Sequence, residues 1–109
     1  MRILAVGDVC GSVGCEYVRK VLPEFKNKNN IDMVIINAEN SADGNGITPY
    51  SAEYLFNIGA DVLTGGNHSL RRSEVYDYLD ENDFVLRPHN FGDDKNGKGY
   101  CMVDFGKTQ

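Results

Sequence analysis

The polar groups of this 109-residue chain that could do chemistry fall just where short apolar runs end. Gly7 and Asp8 close the run RILAVG, and Asn37, Ala38, Glu39 and Asn40 close DMVIIN. Gly65, Gly66, Asn67 and His68 follow DVLT, and Arg87, Pro88, His89 and Asn90 follow FVL. Carboxylates and amide oxygens with an imidazole suit a hard or borderline divalent metal, and a carboxylate shared between two ions is the usual device of two-metal hydrolases. Each residue also has a quieter role open to it. Asp8 could cap a helix, Glu39 could be a solvated acid, and the asparagines could be turn residues that tolerate left-handed backbone angles. His68, Arg87 and His89 could be exposed loop residues. Their shared location argues for chemistry, because open α/β sheets bind ligands outside the carboxyl ends of their strands.

The elements that must position these groups can be read from periodicity. Residues 2–7 and 32–37 are apolar runs expected to be parallel strands buried on both faces, residues 61–64 a third strand, and residues 84–86 a short fourth. Tyr17, Val18, Val21, Leu22 and Phe25 recur at spacings of three and four, giving an amphipathic helix with Ser12 as its expected cap. Pro23 is expected to kink or shorten that helix. Thr48-Pro49 reads as an N-cap followed by proline at the first helical position, opening a helix over 49–58 that Gly59 stops. A third helix is expected over 73–79, with Val75, Tyr78 and Leu79 inward, and a last strand over 100–105. The order βαβαβαβ, with that further strand, calls for a mainly parallel sheet with flanking helices. A terminal strand at 100–105 would leave an exposed edge suited to pairing with another chain.

Composition narrows the function classes. Eleven Lys and Arg against 16 Asp and Glu leave a net charge of -5, which argues against a nucleic-acid groove. No apolar run reaches the roughly 18 residues of a membrane span, and MRILAVGD is too short to serve as a secretory signal, so a cytoplasmic protein is expected. Cys10, Cys15 and Cys101 form neither a C-x-x-C nor an even set, so reduced thiols are expected. The loop GDVCGSVG departs from the dinucleotide fingerprint G-x-G-x-x-G, with Val9 where the second glycine belongs and Asp8 where it would face a pyrophosphate. With 41% hydrophobic residues, one domain over 1–109 is expected.

Taken together, GDVCGSVG, INAENSADGNGIT, GADVLTGGNHS and LRPHNF resemble the calcineurin-like metallophosphoesterases, and more closely their bacterial YmdB-like branch of cyclic-nucleotide phosphodiesterases. The resemblance runs along essentially the whole chain. It implies a metallophosphoesterase-like layered α/β fold, of which this chain is the N-terminal half, and a two-metal phosphodiesterase that hydrolyses 2′,3′-cyclic nucleotides or related phosphodiesters by a metal-bridging hydroxide. By position, Asp8 would bind the first metal, Glu39 would bridge both, Asn40 and Asn67 would ligate or support the second, and His68 would protonate the leaving oxygen. Arg87 and His89 would orient substrate. The implied ions are divalent, iron foremost, with manganese or zinc as alternatives. The resemblance also implies a second half with further histidine ligands, whereas His68 and His89 are the only histidines here. Either a complementing C-terminal half or a homo-oligomer is therefore expected as partner. The alternative to an enzyme is an inactive relic that serves as a binding or assembly module.

Overall fold

The structure, a computed structural model, describes residues 1–70, 72–91 and 95–104. Three parallel strands, β1 (Ile3–Val6), β2 (Met33–Asn37) and β3 (Val62–Thr64), pair in the order β1-β2-β3. Ile3 lies opposite Met33 and Ala5 opposite Ile35, and Ile35 in turn lies opposite Val62. The connections are helices α1 (Gly11–Lys28) and α2 (Pro49–Asn57), and a 3₁₀ turn at Ser73–Val75 leads into α3 (Tyr76–Glu81). Parallel pairing requires such crossovers, since two strands running the same way cannot be joined by a tight turn.

One core serves all three helices. Cys15, Val18 and Leu22 of α1, Ala52 and Leu55 of α2, and Leu79 of α3 join a single cluster with Val34, Ile36 and Leu63 of the sheet. The sequence of α2 explains its firm start. Thr48 Oγ1 accepts from the Ser51 backbone N–H at 3.1 Å while Ser51 Oγ accepts from the Thr48 N–H at 3.0 Å, a reciprocal cap that satisfies two otherwise orphaned donors. Gly59, at φ 123°, then takes a backbone angle closed to residues with a side chain and turns the chain into β3.

Several expectations are corrected by the structure. Helix α1 is not shortened at Pro23 but continues to Lys28. Pro23 lies on the exposed side, where the carbonyl it leaves without a partner is open to water. Cys10, not Ser12, is the N-cap residue of α1, and it makes no side-chain cap bond. The strands are not buried on both faces: β2 alternates between half-buried and buried residues, and β1 between exposed and half-buried ones. Residues 84–86 contribute a bridge rather than a full strand. Leu63 N–H donates to the Phe84 carbonyl and Leu86 N–H to the Leu63 carbonyl, both at 2.8 Å.

The expected strand over 100–105 does not form at residues 100–104, and Phe105 lies outside the described residues. The pairing falls earlier, between Leu86 and Lys98. Asp80 holds this segment in place, accepting from the Gly97 N–H at 2.7 Å and from Asn96 Nδ2 at 2.8 Å, and Lys98 is paired with Asp83 at 2.7 Å. Among the described residues, the free strand edge is therefore β1.

Candidate active site

Every strand of the sheet points its carboxyl end toward the same side, because all three run parallel. The loop after β1 carries Asp8, the turn after β2 carries Glu39 and Asn40, and the turn after β3 carries Asn67 and His68. Backbone bonds tie these loops together. Val9 N–H donates to the Asn37 carbonyl at 3.1 Å, Ala38 N–H to the Thr64 carbonyl at 2.9 Å, and Gly11 N–H to the Asn40 carbonyl at 2.9 Å. Asp8 itself sits at φ 28°, an uncommon angle for a residue other than glycine and one that asparagine and aspartate tolerate best.

Side chains then link the three loops into one chain of hydrogen bonds. Asn40 Nδ2 donates to Asp8 Oδ1 at 2.8 Å, and Asn40 Oδ1 is hydrogen-bonded to His68 Nδ1. A carboxylate only accepts, so the amide nitrogen of Asn40 must face Asp8 and its oxygen must face the ring. His68 Nδ1 therefore carries the proton, and Nε2 is left as the nitrogen that can exchange a proton with a ligand. The His68 backbone N–H donates to Glu39 Oε2 at 3.1 Å, and the Glu39 N–H donates to Asn37 Oδ1 at 3.2 Å. Glycine is required beside this group. A Cβ on Gly66 would overlap the Glu39 carboxylate, which occupies the space that any other residue would fill.

Of the residues expected from the sequence, Asp8, Glu39, Asn40 and His68 are thus brought together, and Asn67 stands exposed next to His68. No hydrogen bond or ion pair shown among the described residues joins Arg87 or His89 to them. Arg87 is not an exposed loop residue: it is 8% exposed, its Nη1 donates to the Pro88 carbonyl at 2.9 Å, and its Nε has no partner among the described residues. His89 is exposed and meets the edge of Tyr100 with ring centroids 6.0 Å apart.

One supporting residue escaped the sequence reading. Buried Ser69 accepts from the Gly66 N–H at 2.8 Å through Oγ and shapes the turn that carries His68. A serine three residues past a glycine in a tight turn is its only signal, since serine hydroxyls commonly close such turns.

Two carboxylates and two carboxamides on one edge are hard oxygen donors, and the space Gly66 leaves for Glu39 lets that carboxylate lie close to the backbone. This chemistry fits a divalent cation. Among the described residues, no group of three or more His, Cys, Asp or Glu gathers to complete a shell.

A parallel sheet with helices packed on it and such a carboxyl edge defines a layered α/β protein of the metallophosphoesterase-like class. Within that class the chain belongs to the family of YmdB-like proteins, whose family model matches residues 4–109. It is 41% identical over 103 residues to a 2′,3′-cyclic-nucleotide 2′-phosphodiesterase of Bacillus subtilis, a match covering 94% of this chain and 39% of the relative. Its fold superposes on a crystal structure of a hypothetical protein from Thermus thermophilus with a TM-score of 0.88 at 37% identity, covering 97% of this chain and 41% of that one. A crystal structure of a phosphatase from Mycoplasma pneumoniae gives a TM-score of 0.87 at 29% identity, over 94% of this chain and 38% of that one. The chain spans about two fifths of the length of the relatives it matches.

Proposed function

We propose that this chain carries part of the active site of a metal-dependent phosphodiesterase for small phosphodiesters, 2′,3′-cyclic nucleotides foremost. The observation that carries the reading is the hydrogen-bonded chain from Asp8 through Asn40 to His68, with Glu39 held against the same turn. The name of the Bacillus subtilis relative supports the substrate class. Asp8, Glu39, Asn40 and Asn67 would hold two divalent ions, iron foremost, with manganese or zinc also suited to such donors. Bound there, the ions would supply charge neutralisation at phosphate and a water acidified toward neutral pH.

The chain's own residues do the rest. Asn40 holds the His68 ring by Nδ1, so a protonated His68 presents its Nε2–H to the leaving oxygen as general acid. Asp8 fixes Asn40 in that orientation. Gly66 keeps the turn free of a side chain where Glu39 must lie. Arg87 and His89 would act only in orienting substrate, since no hydrogen bond or ion pair shown among the described residues ties them to this group.

A second reading, a binding or assembly module without turnover, is favoured by the exposed apolar surface around β1 and α1, where Ile3, Val13 and Tyr17 face solvent. One experiment separates the two. Glu39→Ala is expected to abolish hydrolysis of 2′,3′-cyclic AMP and bis-p-nitrophenyl phosphate, and to lower bound manganese measured by elemental analysis after gel filtration. Turnover that survives in Glu39→Ala overturns the site assignment, and a wild-type chain that neither binds manganese nor hydrolyses either ester, even with a complementing polypeptide, leaves the module reading standing.

A further inference from the structure

A pocket of about 440 Å³ opens between α1, the 41–48 loop and the start of α2. The three loops that carry the candidate site also border it. Ser12 lies four residues after Asp8, Ser41 follows Asn40 directly, Arg72 lies four residues after His68, and all three line the pocket. Its rim is tied to Asn40, because the Gly11 and Gly44 N–H groups both donate to the Asn40 carbonyl at 2.9 Å. The volume falls within the roughly 300–1,000 Å³ usual for small-ligand sites.

The floor of the pocket is already satisfied. Buried Ser41 donates through Oγ to the Ala38 carbonyl at 2.8 Å and is hydrogen-bonded to Ser51 Oγ at 2.9 Å. Arg72 is committed to the loop, its Nε donating to the Asn45 carbonyl at 2.9 Å and its Nη2 to the Ala42 carbonyl at 3.1 Å. What the rim leaves for a ligand is an aromatic face and a carboxylate. Tyr50 is 79% exposed, its ring 6.5 Å from that of Tyr54 and tilted by 41°. Glu16 has Arg19 at 3.9 Å, whereas exposed Asp43 has no hydrogen bond or ion pair to its carboxylate among the described residues.

An exposed tyrosine ring offers a planar ligand a face to stack on, and every nucleobase has such a face. A carboxylate only accepts, so it selects a base that presents an amino group and disfavours a carbonyl oxygen in the same place. Two carboxylates against one guanidinium also leave the pocket net negative, which turns a phosphate away. We propose that this pocket is the base subsite of the candidate active site and takes an amino-bearing nucleobase, Tyr50 stacking on the ring and Asp43 accepting from the exocyclic amine. The nucleotide comes from the phosphodiesterase reading, on which this assignment rests; the pocket adds which bases it carries. The cyclic phosphate stays at the edge formed by Asp8, Asn40 and His68, and the base reaches toward the starts of α1 and α2. Cytosine and uracil have the same shape, with an amine on one where the other has a carbonyl oxygen, so they separate the acceptor's role from simple fit.

The test titrates the isotopically labelled 109-residue chain with cytidine and with uridine, in the absence of metal and phosphate, and follows backbone amides by NMR. Cytidine is expected to shift the amides of Ser12, Asp43 and Thr48, and to bind about tenfold more tightly than uridine. Tyr50→Ala is expected to weaken cytidine binding about tenfold, the worth of one stacked base. Asp43→Asn is expected to bring the two nucleosides level, and asparagine tolerates the left-handed φ of 54° at that position. Both side chains are solvent-exposed, so each variant is expected to keep the circular dichroism spectrum of the wild type. No shift at these amides with cytidine, equal binding of uridine, or cytidine binding indifferent to both substitutions would each overturn the proposal. Failure of the proposed function reads differently. Cytidine that titrates the pocket in a complemented protein that hydrolyses no phosphodiester sinks the enzymatic reading and leaves a nucleoside pocket. Hydrolysis of bis-p-nitrophenyl phosphate without nucleoside binding sinks only the base subsite.

Discussion

At the scale of single residues, the candidate site depends on what two side chains may not be. Gly66 must lack a Cβ because the Glu39 carboxylate lies where one would sit. The atoms in the way belong to the flexible end of a side chain, so Gly66→Ala is expected to shift the melting temperature little while it displaces Glu39. A displacement of that order costs roughly 100-fold in turnover, which steady-state hydrolysis in the complemented protein would report. Gly65 is different. A Cβ there meets the backbone carbonyl of Leu86 at 2.8 Å and overlaps Ser69 Oγ as well, so Gly65→Ala is expected to destabilise the fold itself. The contrast between these neighbours, read in one thermal melt of each, separates a functional glycine from a structural one. Asn40 is as constrained as Gly66, since an aspartate there would face Asp8 with a second acceptor and like charge.

At the scale of elements, α2 and α1 stand at opposite ends of local consistency. The α2 start is over-determined: Thr48 and Ser51 cap each other and Pro49 occupies the first turn, where its missing N–H costs nothing. Thr48→Ala is expected to cost about 1 kcal/mol in urea unfolding. Helix α1 carries Pro23 in its interior and starts without a side-chain cap, so tertiary packing of Cys15, Val18 and Leu22 must hold what local propensity does not. Pro23→Ala is expected to raise stability by about 2 kcal/mol, because it restores a helical hydrogen bond on an exposed face. A stability loss in that variant would mean that the proline serves a contact on the exposed side. For the 97–100 segment, the polar clamp from Asp80 decided the pairing register over the alternating pattern of the residues that follow.

For the whole molecule, one group contributes stability that is lost at the acid end of the pH range and another contributes stability that is lost at the alkaline end. The Gly97 N–H and then Asn96 hold the Asp80 carboxyl below its ordinary value of 3.8. The folded chain therefore releases that proton more readily than the unfolded one, so this contribution is present above that value and is lost as pH falls through and below it. Asp80→Asn is expected to flatten the acid limb of a melting-temperature profile. At the alkaline end, burial and then the Glu53 carboxylate, which accepts from the phenol at 2.8 Å, push the Tyr78 hydroxyl above its ordinary value of 10.0. Here the folded chain holds its proton longer, so the contribution is complete below that value and is lost as pH rises beyond it. Tyr78→Phe is expected to flatten that limb, and phenolate absorbance would show one tyrosine titrating late.

The chemistry-bearing residues were legible because each follows an apolar run, and a parallel sheet obliges strand ends to share an edge. That placed Asp8, Glu39, Asn40 and His68 together from one-dimensional spacing alone, and the Thr48-Pro49 start and the Gly59 stop were legible for equally local reasons of backbone geometry. Arg87 and His89 follow an apolar run too, yet their partners are Pro88, Lys98 and Tyr100. Position after a strand does not say which way a loop leans. Nor could periodicity tell that Asn40 spans Asp8 and His68, because a contact 28 or 32 residues apart in sequence depends on how closely β1, β2 and β3 bring their ends. The unequal burial of the two sheet faces was hidden for a related reason. An apolar strand reads the same whether one face or both are buried, and only the single cluster that joins residues of all three helices to Val34, Ile36 and Leu63 shows which face the core takes.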